Sequence, residues 1–168
     1  MTHPAIEQRR LSVGIGQLAI SRDPREVLVA YGLGSCVGVT AYDPEAHVGG
    51  LAHILLPSGG GRAANANEPG RFADLAIDEL LRRLEEAGAD RRRLVVKIAG
   101  GASVLGAANA EKFKIGARNA EAIRERLKFH GLSPAAEDIG GEKGRTLELH
   151  GASGRTFVRT VAAPAQEL

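Results

Sequence analysis

Cysteine, tryptophan and aromatic residues are scarce in this 168-residue chain: one Cys, no Trp, and 4% Phe and Tyr together. A single thiol forbids an internal disulfide and fits a reducing compartment. Few aromatics leave few platforms on which bases could stack. Charge of one sign is also missing: the net charge is +2, and Lys and Arg alternate with Asp and Glu. Only Arg91–Arg93 forms a basic run, which reads as a solvated helix end. A nucleic-acid surface is therefore not expected. No apolar run approaches the roughly 20 residues of a membrane span. The opening "MTHPAIEQRR" lacks the apolar segment of a signal peptide, so a soluble, cytoplasmic protein is expected. His3, His47, His130 and His150 show no metal-ligand spacing, and no second Cys could complete a set.

What remains is enough for one core. Hydrophobic residues make up 43% of the chain, and its length suits a single domain. Residues 1–10 read as a flexible N-terminal tail, 11–162 as the folded domain and 163–168 as a C-terminal tail. "LSVGIGQLAI" reads as a first strand broken by glycine, and "EVLVAYGL" as a second. "CVGVTAY" and "LAHILLP" are strands apolar on both faces, so their sheet should be covered on both sides. "SGGGRAANANEPG", residues 58–70, is a long glycine-rich loop without periodicity. In "RFADLAIDELLRRLEEAG", Ile77, Leu80, Leu81 and Leu84 recur at helical spacing and Gly88 ends the helix. "RLVVKIAGG" reads as a buried strand and "IGARNAEAIRERLKFHG" as a second helix stopping at Gly131. "PAAEDIG", "TLELHG" and "RTFVRTV" read as a closing meander joined by glycine-rich turns. The expected class is α+β: layered, mostly antiparallel or mixed β-sheet flanked by two main helices.

The lone thiol sits in an unusual place. "GLGSCVG" puts Cys36 among glycines, and "GGLAHILLP" puts His53 in an otherwise apolar strand. Opposed residues of an antiparallel pair have a constant number sum. A turn within Asp43–His47 permits sums near 89 or 91. At 89, Cys36 and His53 are directly opposite; at 91 they are diagonal. Either register puts them on one face, because side chains alternate with period two. A histidine within reach can take the thiol proton and create a nucleophilic thiolate. Gly32, Gly34 and Gly38 leave room for a substrate backbone. Free N–H groups around Gly32, Gly34 and Ser35 can bind it and stabilise an oxyanion. Spacing alone also allows the plain reading, in which Cys36 is a small buried hydrophobe and His53 a satisfied core residue.

Two other motifs are set aside. Gly14-x-Gly16-x-x-Ala19 approaches a dinucleotide fingerprint, but Pro24 follows too soon for the helix it requires. "GLGSCVG" has Leu33 where a nucleophile elbow needs its first glycine.

"GLGSCVGVTAYDP" followed by "GGLAHILLP" closely resembles the signature of the chemoreceptor glutamine deamidases, the CheD family. "VKIAGGASVL", "IGARNAEAI" and "DIGGEKGRTLELHGASGRTFVR" resemble its later blocks in the same order, so the resemblance covers roughly residues 13–161. It implies a layered fold similar to bacterial glutamine-deamidating toxins. It implies hydrolysis of glutamine side-chain amides on methyl-accepting chemoreceptors, with ester hydrolysis in some members. The nucleophile falls on Cys36 and the histidine on His53. No metal or organic cofactor is implied; a CheC-type phosphatase is implied as a partner. One position departs: the family's third catalytic residue, a threonine six residues before the cysteine, is Ala30 here. A backbone carbonyl or another side chain must then orient His53, and Thr40 shares the strand parity of Cys36. The departure also admits a second expectation, a weakly active binding module that regulates the phosphatase.

Overall fold

A computed structural model describes residues 7–63, 65–104 and 110–168. Ten strands form two mixed five-stranded sheets, and two helices cover one of them. The first sheet contains β1 (Arg9–Ser12), β3 (Glu26–Leu33), β8 (Arg145–His150), β9 (Thr156–Thr160) and β10 (Gln166–Glu167), in that spatial order. The second runs β2 (Leu18–Ser21), β5 (Val48–Ile54), β4 (Val37–Asp43), β6 (Val95–Gly100) and β7 (Ala136–Ile139). Among the described strands, only β1–β3 and β6–β7 pair in parallel.

Every residue of β4 and β5 is buried, as strands apolar on both faces require. Their alternation divides the core in two. Val37, Val39 and Ala41 of β4, with Val48, Ala52 and Ile54 of β5, pack under the helices. Tyr42, Leu51 and the thiol-bearing Cys36 pack on the other face, against Leu28, Ala30 and Leu33 of β3 and Leu147 and Leu149 of β8. The molecule is thus three layers: helices, sheet, sheet.

The helices α1 (Ala73–Glu86) and α2 (Ala110–Phe129) form where the apolar period is 3.6. Ala73, Ala76, Ile77, Leu80, Leu81 and Leu84 of α1 are buried, and they meet Ala120, Ile123 and Leu127 of α2. Arg82 pairs with Glu79 and Glu86 on the exposed face of α1. Arg91–Arg93 forms a 3-10 turn rather than a helix end. Asp90 caps it, and Arg93 reaches back to the fully buried Asp43 at 2.8 Å.

Two expectations need correction. The glycine-broken first strand is two strands in different sheets. Residues 13–17 leave the first sheet after β1 and enter the second at β2. The three C-terminal strands are not one meander. β7 extends the second sheet alongside β6, and only β8 and β9 form a hairpin, so "GGEKGR" carries the chain between layers. Arg9 and Arg10 lie in β1, anchored by Glu26 and by Glu148, a carboxylate buried on β8. At the other end, Gln166 and Glu167 pair with β9, and Lys97 Nζ donates to the Leu168 carbonyl at 2.6 Å. Residues 1–6 lie outside the described residues, as does Leu105 of "VKIAGGASVL".

Candidate active site

The β4–β5 register settles the geometry of the thiol and the imidazole. Gly38 stands opposite His53 and Val37 opposite Ile54. The number sum is 91, so Cys36 is the diagonal neighbour of His53 on the same face. His53 exchanges its backbone bonds with the other side: its N–H donates to Gln17 O, and its carbonyl accepts from Gly16 N–H, both at 2.9 Å. The Gly38–His53 pair is therefore a non-hydrogen-bonded one, in which the strands approach most closely. Gly38 has no side chain to fill the space between them. A Cβ there would run into Leu147 and Leu33.

Both groups are buried, Cys36 at 6% exposure and His53 at 1%. His53 Nδ1 lies 2.9 Å from the Val13 carbonyl. A carbonyl only accepts, so in the neutral ring Nδ1 carries the proton and Nε2 carries a free lone pair. Nε2 is buried and has no partner among the described residues, Cys36 Sγ included. Burial pushes the Cys36 thiol above its ordinary value. Burial also pushes the His53 imidazole down, an effect that the bond to Val13 partly offsets. The resting pair is therefore thiol and neutral imidazole rather than a preformed ion pair. A buried imidazole with an unused basic nitrogen can take a proton from a thiol brought within reach.

The Cys36 turn is held from behind. Gly101 N–H donates to the Cys36 carbonyl at 2.9 Å, and Ala102 N–H to the Gly34 carbonyl at 2.7 Å. Gly100 must be glycine here: its φ is +121°, and any Cβ would collide with the Cys36 carbonyl. The buried Arg145 closes this support by donating to Gly100 O at 2.7 Å. The N–H groups of Gly34 and Ser35 have no acceptor among the described residues, and that of Cys36 points at its own sulfur. The first two are the donors an oxyanion would use. Gly32, just upstream, is left-handed at φ 64° with open space around it.

Position 30 carries no hydroxyl, and the bond to the His53 ring comes from a backbone carbonyl. Ala30 is fully buried in the layer between the sheets. The β1–β3 register pairs Ser12 with Val29, and Val13 N–H donates to Val29 O at 2.7 Å. Val13 thus follows directly alongside position 30, and its carbonyl holds His53. Thr40 shares the face of Cys36 and His53 but bonds elsewhere. Its hydroxyl lies 3.2 Å from the Thr156 hydroxyl and 3.4 Å from the Lys97 carbonyl. The sequence expectation that Thr40 orients the ring is not what the geometry favours.

The end of the glycine-rich loop, residues 67–70, seats against the turn that carries Val13. Gly70 N–H donates to Gly16 O at 2.8 Å, and Gln17 Nε2 donates to Asn67 O at 2.7 Å. Sequence reasoning missed two residues. One is Val13, which acts through its backbone and leaves no side-chain signature. The other is Asn119 of α2, fully buried, whose Nδ2 donates to both Ser35 O and Leu55 O at 3.0 Å. A polar residue at a core-facing helix position was the available signal.

Comparison with known proteins decides the family. The family model for CheD chemotactic sensory transduction matches residues 55–160. The probable chemoreceptor glutamine deamidase CheD of Symbiobacterium thermophilum is 45% identical, over 97% of this chain and all of its own length. The chemoreceptor glutamine deamidase CheD of Thermotoga maritima is 42% identical, over 92% of this chain and 94% of its own.

This chain belongs to the CheD family.

The matches to these CheD relatives take in Cys36 and His53, which lie just before the segment matched by the family model. Among solved structures, the Bacillus licheniformis hypothetical protein YfiH aligns at a TM-score of 0.45 and 14% identity, over 86% of this chain and 70% of that one. No helix among the described residues is long and apolar enough to cross a membrane.

Proposed function

We propose that this CheD protein hydrolyses glutamine side-chain amides of chemoreceptors to glutamates in the cytoplasm, with Cys36 as nucleophile and His53 as base. The observation that carries the mechanism is the buried, unpartnered Nε2 of His53, on the same strand face as the only thiol, with Nδ1 held by Val13. The names of the curated relatives supply the substrate class.

Nε2 takes the Cys36 proton as Sγ bonds to the glutamine Cδ. The resulting oxyanion sits at the free N–H groups of Gly34 and Ser35, with Gly32 beside the substrate backbone. The C–N bond then breaks, and ammonia leaves with the proton from Nε2. Water attacks the thioester, giving a proton to Nε2. The C–S bond breaks, glutamate leaves and the thiol regains its proton.

Incubation with a receptor cytoplasmic fragment should convert particular glutamines to glutamates, read by peptide mass spectrometry as exchange of NH₂ for OH. A folded protein that converts none would refute the assignment. A CheC-type phosphatase is the proposed protein partner. Co-purification with such a phosphatase should survive Cys36→Ala; failure of the wild type to bind it would remove this part.

A further inference from the structure

We infer that Asn119 is a positioning residue, stapling the nucleophile's turn to the end of the base's strand. This rests on the Cys36–His53 reading above. One nitrogen, Nδ2, donates to Ser35 O, the residue before Cys36, and to Leu55 O, two residues after His53. Those carbonyls are therefore no further apart than two 3.0 Å bonds allow. Neither is tied by a ladder bond within a strand, since β4 begins at Val37 and β5 ends at Ile54. The register alone leaves Cys36 diagonal to His53 and one residue outside the strand. Asn119 supplies a constraint there that the sheet does not.

The amide is retained at a cost. Asn119 Oδ1 is buried without a partner; among the described residues only His53 Nε2 shares that condition. A buried acceptor left unmade is unfavourable, and an apolar side chain of the same shape would avoid it. What an apolar side chain lacks is the pair of N–H donors. Asn119 also sits in a rigid setting. It is one residue before Ala120, which is fully buried against the second sheet, and Gly116, one turn earlier, packs on the Gly101 backbone whose N–H holds Cys36 O. Among the described residues, Asn119 is the helix side chain that hydrogen-bonds to the chain beside both members of the reactive pair.

The test is a cycle on the alkylation of Cys36 by iodoacetamide, the only thiol of the chain. His53→Ala should slow alkylation of the wild type. In an Asn119→Leu background the same His53→Ala change should have less than a two-fold effect. Asn119→Leu should lower kcat on receptor fragment at least ten-fold with KM within two-fold. Asn119→Gln, which keeps the donors, should recover part of both. If Asn119→Leu unfolds, Asn119→Ser is measured in its place, with the same expectation. A folded variant with wild-type kcat and an undiminished His53 effect would overturn the inference. So would a His53→Ala change that leaves wild-type alkylation untouched, since no pair would then need positioning. A normal alkylation cycle with no receptor conversion would instead refute the substrate assignment and leave the role of Asn119 standing.

Discussion

The two faces of the β4–β5 hairpin are made by the same fourteen residues, yet they have opposite characters. The face under the helices is apolar along its length, where Val37, Val39, Ala41, Val48, Ala52 and Ile54 meet the leucines of α1, and its one charge, Asp43 at the end of β4, is paired with Arg93. The face toward the other sheet holds Thr40, Gly38 and His53 beside Leu51 and Tyr42. One face is specified by volume and could exchange one aliphatic for another. The other includes a glycine that makes space, a threonine bonded across the layer, and an imidazole with an unused nitrogen. Stability is concentrated on the first face, and chemistry on the second.

Substitutions on the two faces should separate these properties. The largest effect belongs to the chemical face. His53→Ala should lower kcat on receptor glutamines by about 10²–10⁴-fold, the usual worth of a general base, while the melt stays cooperative. Leu80→Ala, on the helix face, should cost about 2–5 kcal/mol in denaturant titration. Its kcat per folded molecule at 25 °C should stay within two-fold of wild type. A leucine change that lowers kcat as much as His53→Ala would erase the division.

The pH profile sharpens it further. The reactive pair works with one proton shared between thiol and imidazole. Burial lowers the His53 value, so the acid limb of kcat/KM should fall below the ordinary imidazole value of about 6.5. Burial raises the Cys36 value, so the alkaline limb should lie above the ordinary thiol value of about 8.5. Both values belong to the coupled pair rather than to either residue. Limbs displaced inward, toward one another, would contradict the burial shifts assigned to the pair.

The smallest effects are expected at the two candidate hydroxyl positions. A lost neutral hydrogen bond is worth about 1 kcal/mol, or roughly five-fold in rate. Because the Val13 carbonyl already fixes Nδ1, Ala30→Thr and Thr40→Val should each change kcat by less than two-fold. A several-fold gain in Ala30→Thr would mean that a hydroxyl is still missing there.

Legibility in the sequence followed the same division. Periodicity located both helices and the strand Glu26–Leu33, because their apolar spacing is local. The shared face of Cys36 and His53 was legible too, since parity survives either permitted register; only the choice of 91 over 89 needed the structure. The partner of β7 was not legible: nothing in "PAAEDIG" distinguishes pairing with β6 from pairing with β8. Val13 was hidden because a carbonyl has no residue identity. Asn119 was hidden because its two acceptors, Ser35 and Leu55, are 84 and 64 residues away in the chain. Contacts of that kind depend on tertiary packing rather than on pattern.

The most direct test of the account is the time course of receptor-fragment conversion by wild type and Cys36→Ala at equal folded concentration. The wild type should turn specific glutamines into glutamates, and acid-quenched samples should carry a receptor acyl group on Cys36. Cys36→Ala should show neither, with turnover lower by at least about 10⁴-fold and an unchanged fold by circular dichroism. Conversion by Cys36→Ala at the wild-type rate would contradict the placement of the chemistry between the two sheets.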